Sequence, residues 1–143
     1  MKRILSLVAM LTLLLSATAL ASTPSSVHQH KWDYVISSEN TMYYVDINEE
    51  NILYPISNIM VFFTKYYDKD KNTTVINKWA TKIENDKFYA RNEWERTIDN
   101  SAKRINTTSN IGAWKEFNRK TILFKCTLYL CNSIRNNKGA VKK

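Results

Sequence analysis

The densest hydrophobic stretch after the N-terminal leader is Ile59–Tyr67, IMVFFTKYY. In an extended chain Ile59, Val61, Phe63 and Tyr67 point one way, and Met60, Phe62, Thr64 and Tyr66 the other. Both sets are largely apolar and rich in aromatic or branched residues, which favour a pleated, buried surface. The pattern predicts a central strand covered on both sides. Shorter alternating runs flank it. Trp32, Tyr34 and Ile36 share one side of a first strand, Ser37–Asn40 is turn chemistry, and Thr41–Asp46 returns as a second strand, making a hairpin. Asn48–Asn58 breaks the alternation, and Pro55 cannot donate to a ladder, so this reads as a connection in which Ile52 and Leu53 drop back onto the core.

Beyond the central strand, Asp68–Asn72 is a charged turn in which Asp and Asn stand in for glycine. Thr74–Ile83 resumes as a strand with Val75, Asn77, Trp79, Thr81 and Ile83 on one face. After a turn at Glu84–Lys87, Phe88–Ile98 alternates most clearly: Phe88, Ala90, Trp94 and Ile98 on one face, interrupted by Asn92 and Arg96, and Tyr89, Arg91, Glu93, Glu95 and Thr97 on the other. A sheet with one wet face produces this pattern. Lys103–Thr107 is a short returning strand. The segment Trp114–Ile134 supports two readings. Ile122, Phe124, Cys126, Leu128 and Leu130 alternate as in a strand, yet Ile122, Cys126 and Tyr129 fall near one helical stripe, Thr121 is a suitable helix cap and Asn132–Asn137 suits a helix end. Periodicity leaves helix and strand even.

Composition adds a compartment and a partner class. Lys2 and Arg3, an apolar run from Ile4 to Leu15 and the small-x-small site Ala19-Leu20-Ala21 read as a signal peptide over residues 1–21, cleaved before Ser22. The apolar run is shorter than the ~20 residues that a membrane span requires. The expected destination is periplasmic, cell-surface or secreted. Residues 22–31 read as a polar, mobile lead-in, 32–134 as one domain and 135–143 as a basic tail. The net charge is +8 for the whole chain and +6 without the two basic residues of the leader. That balance favours an anionic partner, a sulfated or otherwise acidic glycan, an acidic protein surface, lipid head groups or nucleic acid; export makes nucleic acid the least favoured of these.

Candidate chemistry is sparse. Cys126 and Cys131 are the only cysteines; their C-x4-C spacing lacks the four ligands of a zinc site, and two free thiols are the plainest reading. His28 and His30 lie on one side of an extended segment but make at most half a metal site. Glu93 and Glu95 fall on the strand face that reads as wet, with no histidine in the strands to assist them, which argues against an acid–base enzyme. No cofactor is expected. Lys65, Lys69, Lys71, Lys78 and Lys82 lie on two adjoining strands and their turn, and are the candidate binding residues. A bare sheet edge would allow a homodimer.

A family resemblance emerges from the order of short motifs. Trp32-x-x-Val35, then Met42-Tyr43-Tyr44-Val45-Asp46, then an apolar strand ending in Lys65-Tyr66-Tyr67-Asp68, then Phe88–Ile98, and finally Trp114-Lys115-Glu116-Phe117 before an apolar segment ending in Cys131, together resemble the surface-adhesin protein E family of bacterial exported proteins. The resemblance spans roughly Trp32 to Cys131. It implies an α+β domain, a twisted antiparallel sheet of about five to six strands with a C-terminal helix packed on it, which turns the ambiguous last segment into a helix between Thr121 and Cys131. It also implies that Trp32, Tyr44, Phe63, Trp79 and Trp94 feed the core, and that the activity is adhesion to host matrix or plasma proteins, or else binding of another exported protein as a periplasmic accessory or inhibitor. In the family a cysteine before the long alternating strand often pairs with the one in the last helix; here that region reads Glu84-Asn85-Asp86, so Cys131 lacks this partner.

Overall fold

Hairpin turns lay out this chain. The computed structural model describes residues 28–109 and 111–140; the leader, the start of the lead-in and the last three residues of the tail lie outside them. Strands β1 (Trp32–Ser38) and β2 (Thr41–Asp46) form the first hairpin, followed by a 3-10 turn at Glu49–Asn51, β3 (Leu53–Ile56) and the central β4 (Ile59–Asp68). The long strands β5 (Thr73–Glu84) and β6 (Lys87–Asp99) come next, then β7 (Arg104–Thr108), β8 (Lys115–Phe117) and the helix α1 (Ile122–Ala140). With only two glycines in the chain, the turns place Glu39, Asn72, Asn85, Asp86 and Lys103 at positive φ. Asn85 and Asp86 supply both central residues of the β5–β6 turn, the arrangement whose twist matches two antiparallel strands.

The strands make one antiparallel sheet in the order β1-β2-β4-β5-β6-β7, with β3 also on β4 and β8 also on β6. Among the described residues the sheet therefore has eight strands and exceeds the five to six expected. The two additional ones are short and sit where a neighbour ends: β2 pairs with Thr64–Asp68 of β4 and leaves Val61 and Ile59 for β3. Pro55 lies in β3 because an outer strand has a side that needs no donor, so the segment expected to be a connection is an edge strand. Likewise β7 takes the Glu95–Asp99 end of β6 and β8 takes Phe88–Ala90.

The helix settles the ambiguous C-terminal segment. Thr121 caps it: its hydroxyl accepts from the Phe124 N–H at 3.3 Å. The helix continues to Ala140, past the expected domain boundary at 134 and into the segment read as a tail. It packs on one face of the sheet, where Val45, Ile52, Phe62 and Leu130 form the buried core with Val35, Ile47, Met60, Trp79, Leu123, Tyr129 and Ile134 around it. Burying each of the four contributes about 1.5–3 kcal/mol.

Two irregularities decide which residues face the helix. Lys78 pairs with Trp94 but Trp79 with Asn92, so β6 carries one extra residue, Glu93. Phe88 and Ala90 thus face the helix side, whereas Trp94 and Ile98 face away; the single apolar face expected for Phe88–Ile98 is split in two. Val35 is the extra residue of β1, since Tyr34 pairs with Tyr44 and Ile36 with Tyr43, and Ile36 leaves the face it was expected to share with Trp32 and Tyr34. Of the aromatics expected in one core, only Trp79 packs against the helix-side cluster. Trp32, Tyr44, Phe63 and Trp94 lie on the opposite face.

Candidate binding face

The face away from the helix is built in rows across the strands. Register places Tyr34, Tyr44, Lys65, Ile76, Arg96 and Thr107 in one row, each opposite the next. Beside it, Phe63, Lys78 and Trp94 form a second row. On the other side lie Met42, Tyr67, Thr74, Ile98 and Ile105. Cations and aromatic rings alternate here. The Lys65 ammonium lies 4.6 Å from the centre of the Tyr44 ring and 4.9 Å from that of Trp32. The Arg96 guanidinium lies 5.0 Å from the Trp94 ring. Towards β8, Arg91 and Lys82 lie 4.8 and 5.1 Å from Trp114, and Lys82 is 5.5 Å from Tyr89. The ring quadrupole favours each of these placements.

The five lysines singled out from the sequence do not form one cluster. Lys65, Lys78 and Lys82 share this face, while Lys69 and Lys71 sit in the β4–β5 turn beyond its end. Lys71 pairs with Asp68 at 3.2 Å, Lys78 with Glu93 at 3.7 Å and Lys82 with Glu84 at 2.7 Å. Arg91 shares Glu93 at 3.0 Å. Lys65 is different. No carboxylate lies within ion-pairing distance of it among the described residues, and burial pulls its pKa below the usual lysine value. Arg96 is exposed and likewise has no carboxylate partner among them. In the sequence Arg96 stands as a polar interruption of an apolar face; only the register of β4, β5 and β6 shows that it lies in line with Lys65.

Charges are sorted between the faces. Glu95 is opposite Asn77 and Asp99 opposite Thr73, on the helix side of the sheet. Glu93 projects the other way, towards Arg91 and Lys78. The two glutamates expected on one strand face are therefore separated by the sheet, because the extra residue in β6 falls between Asn92 and Trp94. Tyr66, on the helix side near Glu95, has its pKa raised by burial, with Glu95, Tyr43 and Asp68 adding to the effect.

The histidines also depart from the expected mobile lead-in. Asp46, fully buried, accepts from His30 Nδ1 at 2.6 Å, from the Lys31 N–H at 2.8 Å, from the Asn48 N–H at 3.0 Å and from Asn51 Nδ2 at 2.8 Å. The His30 ring stacks on Trp32 at 4.7 Å and meets Phe63 edge-on at 4.9 Å. The first described residues are thus fastened to the sheet, and His30 closes one end of the aromatic face. His28 instead meets Glu50 at 3.3 Å, so the two histidines do not converge on one ion. Among the described residues no group of three or more His, Cys, Asp or Glu side chains is placed to hold a metal, and no helix is long and apolar enough to cross a membrane. No family model, curated protein or solved structure matches the chain.

Proposed function

We propose that this chain is a non-catalytic exported bacterial binding domain, resembling the surface-adhesin protein E family, that attaches to an anionic extracellular ligand through the sheet face opposite its helix. The observation that carries the reading is Lys65: an ammonium between two aromatic rings, partly desolvated and with no carboxylate beside it among the described residues. A structural lysine on a sheet is ordinarily solvated or paired, as Lys78 and Lys82 are. One held unpaired on a face lined by Tyr34, Trp32 and Trp94 is suited to an incoming anion. The expected partners are matrix or plasma glycoproteins.

The test is binding of the purified secreted chain to a panel of such glycoproteins across a salt series, with Lys65→Glu and Arg96→Glu as reversed-charge variants. Saturable binding near physiological salt that weakens as salt rises, and that either variant abolishes, supports the reading. Binding indifferent to both variants places the interface elsewhere. Absence of binding to every member of the panel removes the adhesive role and leaves a periplasmic partner as the next search.

A further inference from the structure

We infer that the ligand of this face is an acidic polysaccharide, lying across the strands along the row Tyr34–Tyr44–Lys65–Ile76–Arg96 with one acidic group at Lys65 and another at Arg96. The inference rests on the binding role proposed above and narrows its ligand. Three observations select a glycan.

The first is the spacing of the free cations. Lys65, Ile76 and Arg96 occupy the same register position on three adjacent strands, so Lys65 and Arg96 are two strand spacings apart, roughly 10 Å. Lys78 and Arg91 on the face share the Glu93 carboxylate, Lys82 meets Glu84 and Lys87 meets Glu116, whereas Lys65 and Arg96 have no carboxylate within ion-pairing distance among the described residues. Two isolated positive points suit a chain that carries acid groups at intervals.

The second is the direction of the row. It crosses the strands, and the backbone groups of β2, β4, β5 and β6 beneath it are consumed by their neighbours. An extended acidic peptide gains affinity mainly by adding to a free strand edge, and this row offers no such edge along its length. A polysaccharide needs only side chains.

The third is the material between the cations. Tyr34 is 49% exposed at the start of the row and packs edge-on against Tyr44. Apolar Ile76 lies between Lys65 and Arg96. Sugar rings present C–H faces that pack on aromatic and aliphatic surface, while their sulfate or carboxylate groups take the lysine and arginine donors. Arginine fits this site because its planar fork meets an oxyanion with two parallel bonds.

The test uses the secreted chain and heparin as the probe, with ligand-free glycoprotein controls. Soluble heparin is expected to bind and to compete with glycoprotein. Lys65→Ala and Arg96→Ala should each weaken heparin binding about tenfold, and the double variant about a hundredfold. Tyr34→Ala should weaken it several-fold without changing the salt dependence, while Lys69→Ala/Lys71→Ala should leave it within about twofold. Circular dichroism and the thermal midpoint separate folding defects from binding defects, and Lys65→Arg, which keeps the charge, should retain most of the affinity. Failure of heparin to bind, together with glycoprotein binding that survives enzymatic removal of its glycans, would overturn the glycan assignment and leave the binding face standing. Stronger competition by single-stranded DNA than by heparin would also overturn it. Loss of all binding to glycoprotein and heparin alike would remove both readings.

Discussion

The Tyr129 hydroxyl donates a 2.6 Å hydrogen bond to Asp33 Oδ2, joining residues 96 apart in the chain. This contact holds the C-terminal helix to the outermost strand of the sheet. The Asp33 carboxylate holds the phenol above its ordinary pKa of 10.0, and burial adds to the effect. Because the folded state binds this proton more tightly, the contribution is fully present below pH 10 and is lost as pH rises through the folded value. Tyr129→Phe should cost about 1.5 kcal/mol at neutral pH, the lower end for a hydrogen bond to a charged group because the pair is only partly buried. Chemical denaturation at pH 7 and above pH 10 checks this: the gap between wild type and variant should narrow at the higher pH.

Asp46 is the most heavily used carboxylate described in the fold, with four donors converging on its two oxygens. Asp46→Ala strands two backbone N–H groups and one N–H of the buried Asn51 amide, whose other donor stays on the His28 carbonyl, and should cost about 3 kcal/mol. His30→Ala, which removes one partner and leaves the rest, should cost less. Hydrogen exchange gives the local readout: the amides of Lys31 and Asn48 should lose protection in Asp46→Ala more than the amides of β5 do.

Glu39 and Lys103 sit at φ 47° and 51° without the flexibility of glycine or the side-chain chemistry of asparagine. An L-residue in that region carries a penalty of about 1–2 kcal/mol. Replacing either with glycine relieves the strain at some cost in unfolded-chain entropy. Glu39→Gly and Lys103→Gly should therefore each raise the thermal midpoint by a few degrees, and the pair should act additively because the two turns are separate.

Burial pushes the Cys126 thiol up to about 11. Cys131, five residues on, is exposed on another side of the helix, and both are free thiols. Burial also raises Cys131, with Arg135 drawing it partly back. A soluble alkylating reagent at pH 8 should modify one thiol per native chain, at Cys131, and two after denaturation. Peptide mapping identifies the site. A raised thiol stabilises the folded state below the ordinary value of 9 and ceases to do so as pH passes about 11, so alkaline unfolding should bring Cys126 into reaction.

Hydrophobic patterning identified β4 and the alternate sides of its residues, because an unbroken strand keeps a strict two-residue period. It also located β1, β2, β5, β6 and β7 to within a residue or two. It misplaced Ile36, Trp94 and Ile98 because each follows an inserted residue, Val35 or Glu93, and an insertion leaves no mark in composition. Periodicity alone left α1 undecided, since Ile122, Cys126 and Leu130 satisfy both a spacing of four and an even spacing. Strand β3 was hidden by Pro55, and β8 by its length of three residues. Of the five lysines only Lys65 is central to the candidate face. Its distinction lies in what stands across from it on β2 and β6, and pairing between distant strands is not written in any local window.

The single surplus residue in β6 acts as a phase shifter. Before Glu93, the strand turns its small and aromatic residues, Phe88 and Ala90, towards the helix. After it, the same even-numbered positions carry Trp94, Arg96 and Ile98 to the outside. One strand thereby furnishes the wall of a core with one half and the floor of a recognition surface with the other. Were the strand to run with unbroken alternation through Glu93, the Arg96 charge would turn to the helix side and leave the outer row, so the positive character of the face depends as much on where the alternation slips as on composition.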